Sequence, residues 1–216
     1  RDAITNHITV VGDPHMLEEV LRRLMRMEDV DERTLRNPGA VSVPEHVSRQ
    51  ITEVMAAQDE VAARGIEVTP EALYRLGMLA AHQREYEAAV GYFRQATQAN
   101  PEFTDAYAAI TWLQQSRAMH DIQARDYESA MKKLGEARTA ARHTDPLDPR
   151  ALTLRGYLSK TMAQIAGLRG NASERATYYE EAGRFFNHVV GLAPDNAGAH
   201  NGLGNVAYAR GDLDGA

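Results

Sequence analysis

Residues 73–101 read LYRLGMLAAHQREYEAAVGYFRQATQANP. Leu73, Leu76 and Ala80 keep helical spacing, and Tyr86, Ala89, Phe93 and Ala96 keep it again, so the stretch reads as two helices of one hairpin. Gly77 lacks a Cβ and lets the two helices approach closely, at roughly 1 kcal/mol of helix propensity that packing has to offset. Ala89 and Ala96 give the second helix a small face at that crossing. Leu73, Leu76 and Phe93 are the bulky groups that fill the gaps around it. Pro101 follows Asn100, and because proline holds its predecessor in extended geometry, the pair ends the hairpin and starts the turn to the next element.

The pattern recurs along the chain. His200, Leu203, Gly204 and Ala207 repeat the first-helix half, Gly204 standing where Gly77 stands, and Gly211, Asp212, Leu213 and Ala216 lead into a second helix. The sequence therefore reads as stopping inside an unfinished repeat. Two middle units are degenerate and are recognised chiefly by their second helices. In one, Tyr107 and Ile110 open the unit, Thr111 holds the glycine site, and Tyr127, Ala130, Leu134 and Ala137 repeat the spacing of Tyr86, Ala89, Phe93 and Ala96. In the other, Leu152 and Gly156 open the unit, Arg155 replaces the second leucine, Tyr179, Ala182, Phe186 and Val189 carry the second helix, and Pro194 closes it.

Leu73, Leu76-Gly77, Ala80, Ala89, Phe93, Ala96 and Pro101 together resemble the tetratricopeptide repeat, whose pattern is W-x2-L-G-x2-Y, A-x3-F and a closing proline. The resemblance implies an all-α fold: a right-handed α-solenoid of antiparallel helical hairpins, here preceded by one or two helices. Against a 34-residue unit, the second-helix tyrosine comes about 7 residues late in the first degenerate unit and about 14 late in the second. At about 3.6 residues per turn, these excesses predict both helices longer by one turn in the first case and by two in the second. Residues 170–173 form the projecting tip of the longest hairpin, with Ser173 as the expected N-cap of a helix opening at Glu174 and Arg175.

The organisation expected is residues 1–42 as a leader and helix, 43–69 as a long helix packing on the array, and 70–216 as about four hairpins, the last truncated. Val43-Pro44-Glu45 has the look of a helix start, and Val47, Ile51, Val54, Met55 and Val61 keep helical spacing up to Gly65. Ile8 to Gly12 is β-branched and precedes an amphipathic stretch with Leu17, Val20, Leu21, Leu24 and Met25. It reads either as a strand, the remnant of a preceding domain, or as an extended leader into a helix that pairs with the Val47 helix. Residues 37–39 are the loop between them.

Composition narrows function. A net charge of -6 and a pI near 5.8 argue against nucleic-acid partners. No apolar run is long enough for membrane insertion. The sequence has no cysteine, which excludes thiolate nucleophiles, thiolate metal sites and disulfides. Lysine occurs only at Lys132, Lys133 and Lys160 amid many arginines and alanines, a bias that points to a prokaryote, and no secretion signal is evident, so a cytoplasmic site is expected. Phosphate-binding, dinucleotide, nucleophile-elbow and zinc-protease motifs are missing. His82, His120, His143, His188 and His200 lack metal-ligand spacing, and the acidic run 28–32 lacks the glycine-centred calcium-loop pattern. Neither a catalytic residue, a metal site nor a cofactor is expected.

In the family, first helices of successive hairpins line the concave face. Carried over by alignment, that places Tyr74, Met78, Ala81 and His82 on the binding groove in the first unit, Trp112 and Gln115 in the second, Arg150, Thr153, Tyr157 and Lys160 in the third, and Asn201, Asn205 and Tyr208 in the last. Aromatic and arginine side chains are favoured interface anchors because they bury large area at low rotamer cost. Trp112 is the first candidate, with ordinary core packing as the alternative. Asn201 and Asn205, one turn apart, suit a peptide backbone. The dicarboxylate clamp of some family members needs lysines, asparagines and an arginine at set places, and Tyr74 and Met78 stand there instead. The function expected is a non-catalytic scaffold holding a protein or peptide partner. The alternatives are a regulatory or positioning region of a larger enzyme or signalling protein, and a self-assembling scaffold or homo-oligomer.

Overall fold

The computed structural model describes Arg49 and residues 68–211. The expectations for residues 1–42, the helix of 43–65 and the second helix beyond Gly211 lie outside these. The chain forms two compact units, Arg1–Leu113 and Gln114–Ala216, and the described residues carry seven α-helices and no strand. In chain order they are α1 (Pro70–His82), α2 (Tyr86–Ala99), α3 (Thr104–Gln123), α4 (Tyr127–Ala141), α5 (Pro149–Leu168), α6 (Ala172–Leu192) and α7 (Ala197–Arg210). The boundary between the units falls within α3.

In the first unit, α1 starts at an N-cap whose chemistry is local. The Thr69 hydroxyl accepts from the Ala72 N–H at 3.2 Å, and Pro70 occupies the first helical position, where a missing N–H costs nothing. α1 and α2 pack as the hairpin that the repeat requires. A Cβ added at Gly77 would lie 2.5 Å from the Phe93 ring, which is fully buried, so the glycine is there to admit the ring. Leu76, Ala89 and Ala96 are likewise fully buried around it.

The second unit repeats this contact in a larger form. A Cβ at Gly156 on α5 would meet Phe186 of α6 at 2.5 Å, and a Cβ at Gly202 on α7 would meet the same ring at 2.5 Å. Phe186 therefore sits between two glycines from different helices. Nothing lies within 4 Å of a Cβ at Gly204, where the sequence places the close approach. The close approach is made two residues earlier, at Gly202, which faces the helix before α7. Leu152 of α5, Tyr179, Ala182 and Val189 of α6, and Ala199 and Val206 of α7 complete this core. A second cluster joins Ala118 of α3, Ala130, Leu134 and Ala137 of α4, and Leu158, Met162 and Ile165 of α5.

Helix lengths correct one expectation and bear out another. α5 and α6 have 20 and 21 residues against 13 and 14 for α1 and α2, two extra turns in each. The middle unit divides its excess unequally: α3 has 20 residues, but α4 has only 15. α3 alone takes up the seven residues that precede Tyr127, and α4, counted from that tyrosine, is one residue longer than α2.

Arg155, the arginine in a leucine position, caps the end of α4. Its Nε donates to the Ala141 carbonyl at 2.9 Å and its Nη2 to the Thr144 carbonyl and hydroxyl at 2.8 and 3.1 Å. Ala141 and Thr144 are the last residue of α4 and part of the connection, both buried. Such C-terminal carbonyls lack intrahelical donors, and a cation is the favourable partner for the negative end of a helix. The degeneracy of the sequence thus has a local structural cause.

Three hairpin turns close identically. Glu85 N–H donates to Ala80 O, Asp126 N–H to Asp121 O and Asn171 N–H to Ala166 O, all within 2.8–2.9 Å. The residue before each donor is left-handed: Arg84 (φ 67°), Arg125 (φ 61°) and Gly170 (φ 75°). This is the helix-ending closure in which one left-handed residue lets two N–H groups satisfy terminal carbonyls. At the tip of the longest hairpin, Asn171 is the cap of α6, its Oδ1 accepting from Glu174 N–H at 3.1 Å. Ser173, expected in that role, lies inside the first turn and is exposed. The left-handed Gly170 closes α5 at once and leaves its next residue to cap α6.

Candidate partner-binding face

The residues read from sequence as a groove divide among the two units. In the first, Tyr74 is half-buried, its ring 5.7 Å from Phe93 and 5.5 Å from Phe103. Met78 and His82 are 1% and 5% exposed, as buried as the apolar core around them, and neither is open to a ligand. The alignment placed them correctly on a first helix, but α1 is buried along most of its circumference, with Ala72, Leu73, Leu76, Gly77, Leu79, Ala80 and Ala81 buried as well. Trp112 is half-buried in α3.

In the second unit, Gln115 is half-buried and its Oε1 is buried without a hydrogen-bond partner among the described residues. The remaining candidates lie on two stripes with the same spacing. Arg150, Thr153, Tyr157 and Lys160 share one face of α5. Gly198, Asn201, Asn205 and Tyr208 share one face of α7. Steps of three and four residues keep each set in line. The stripes meet where the Tyr157 hydroxyl donates to Gly198 O at 2.9 Å and where a Cβ at Gly198 would come 3.4 Å from Thr153 Cγ2. Tyr157 therefore joins two helices, and its ring stands edge-on to Phe186 at 5.1 Å. The Lys160 ammonium lies 5.3 Å from the centre of the Tyr157 ring, a cation–π arrangement. Burial pulls its pKa below that of an ordinary lysine.

The α7 stripe is open. Asn201 and Asn205 are exposed, and Tyr208 is 73% exposed. Asn205 Nδ2 donates to Asn201 O at 2.7 Å and to Asn201 Oδ1 at 3.2 Å. That leaves Asn201 Nδ2 as a donor and Asn205 Oδ1 as an acceptor, one turn apart, with no protein partner among the described residues. Arg150 is exposed at the start of α5. Together the stripes offer an aromatic surface, a cation, and an amide donor and acceptor at a spacing that an extended backbone can meet.

A cleft that sequence reading missed lies where α4 stops, lined by Arg138, Ala141, Arg142, Arg155, Ser159 and Glu181 among others. Its one visible signal in the sequence was Arg155 in place of leucine. Burial lowers the Arg155 pKa, and the charge of Asp145 opposes that shift.

Helical hairpins closed by a glycine against a phenylalanine define the chain as a helical-repeat protein. Residues 70–103 match the family model of the tetratricopeptide repeat. Such repeats generally mediate protein–protein interaction. No curated protein matches the chain. Among the described residues, no helix is long and apolar enough to cross a membrane.

Proposed function

We propose that the chain is a non-catalytic scaffold that holds an extended peptide or protein segment on the α5–α7 face. The observation that carries this reading is the pair of unused amide groups on Asn201 and Asn205 beside the exposed Tyr208 ring. An exposed amide pair matches the alternating N–H and C=O of a peptide backbone, and a tyrosine supplies area at small entropic cost. Lys160 and Arg150 add positive charge along the neighbouring stripe. The segment recognised is accordingly one that carries carboxylates beside an apolar residue.

The test is selection of peptides from a displayed random library against the intact chain, followed by affinity measurement on variants. Asn205→Ala and Tyr208→Ala are each expected to weaken the selected peptides by about tenfold or more. Gln98→Ala, exposed on α2 in the other unit, should change nothing. Peptides that bind both variants as tightly as the parent would place recognition elsewhere.

A further inference from the structure

We infer that the cleft at the end of α4 is a binding site for a small oxyanion, a carboxylate or phosphate group. The cleft has a volume of about 160 Å³, enough for such a group with a short stem. Three guanidinium groups line it, those of Arg138, Arg142 and Arg155, against one lining carboxylate, Glu181.

The three arginines differ in what they have left to offer. Arg138 Nη2 pairs with Glu181 Oε1 at 2.8 Å, and Ser159 Oγ donates to Glu181 Oε2 at 3.1 Å, so the internal carboxylate is held on one wall. Arg155 spends Nε and Nη2 on the carbonyls of Ala141 and Thr144, which fixes its plane, and its Nη1 makes no hydrogen bond among the described residues. Arg142 is exposed at the C-cap of α4 and forms no ion pair among the described residues. Asp145, in the connection, offsets part of the Arg155 charge. Positive charge remains in excess even after both carboxylates are counted.

Preorganisation separates this cleft from an ordinary cluster of surface arginines. A guanidinium fixed by its own hydrogen bonds loses little rotamer entropy when its remaining N–H meets an anion. Charge-assisted hydrogen bonds from such a fork suit carboxylate and phosphate alike. The negative end of α4 does not oppose an anion strongly, because the Ala141 carbonyl already accepts from Arg155 and from the Thr144 hydroxyl. This site is separate from the α5–α7 face and stands whether or not that face binds a peptide.

The experiment is a titration of the full chain with sodium acetate and, separately, with inorganic phosphate, ionic strength being held constant with chloride. Arginine Nε–Hε resonances are followed by NMR. Saturable shifts at Arg142 and Arg155 are expected, with none at Arg169, which lies about 20 Å further along α5. Arg142→Gln should weaken the saturable binding about tenfold or more, while Arg169→Gln leaves it unchanged. Saturation by one ion alone supports the site and identifies its ligand as a carboxylate or as a phosphate. Shifts that grow linearly without saturating, or equal weakening by both variants, would overturn the inference.

Discussion

Phe186→Ala is expected to destabilise the second unit by about 3–5 kcal/mol, the range for truncating a fully buried phenylalanine. The ring is 0% exposed, and the groups on two sides of it are glycines on α5 and α7, which have no side chain to move into the space. Relaxation by neighbouring side chains is therefore limited, which favours the upper part of that range. Urea unfolding should show a lower midpoint with an unchanged slope. A sharper test uses the glycines. Gly202→Ala puts a Cβ 2.5 Å from the ring and is expected to destabilise the parent. In the Phe186→Ala background the clash is gone and the better helix propensity of alanine, about 1 kcal/mol, remains. The same substitution should then stabilise. If Gly202→Ala has the same sign in both backgrounds, the ring does not hold α7 in the way described.

Arg155→Leu is expected to destabilise the protein by about 2 kcal/mol, although it restores the residue that the repeat pattern favours. Leucine at this site removes a charged donor from the carbonyls of Ala141 and Thr144, and hydrogen bonds from charged groups contribute about 1.5–3 kcal/mol each. Some apolar burial is gained in return, since the side chain is half-buried. The Ala141 carbonyl also keeps the Thr144 hydroxyl at 2.8 Å, which limits the loss. Arg155→Lys should recover only part of the stability, because a single ammonium does not reproduce the planar fork. Equal or greater stability of the leucine variant in chemical denaturation would refute the capping role.

These two sites also show what was legible in the sequence. The hairpins were readable because Gly77, Phe93, Ala89 and Ala96 each express a packing requirement that recurs at fixed spacing. The long third hairpin was readable for the same reason: an excess of two turns in each helix preserves the faces. How the middle hairpin divides its excess was not, since a seven-residue excess can be placed in one helix or shared between two, and it lies wholly in α3. The cap of α6 was misplaced because Asn171 and Ser173 are both good caps, and only the left-handed Gly170 decides between them. Of the candidate site, the α7 stripe is exposed. Met78 and His82 are buried, because spacing fixes the side of a helix on which a residue lies, not what else covers that side.

The shared closure of the hairpin turns bears on how far this protein lies from its own stability ceiling. Arg84 and Arg125 occupy a backbone conformation that costs an ordinary residue about 1–2 kcal/mol relative to glycine, and only the turn at Gly170 avoids that cost. The reversal of direction is imposed by the hydrogen bonds of the closure and not by the choice of residue. The turn at Arg125, an exposed residue, thus holds unused thermostability, recoverable by glycine without touching the core or either proposed binding surface.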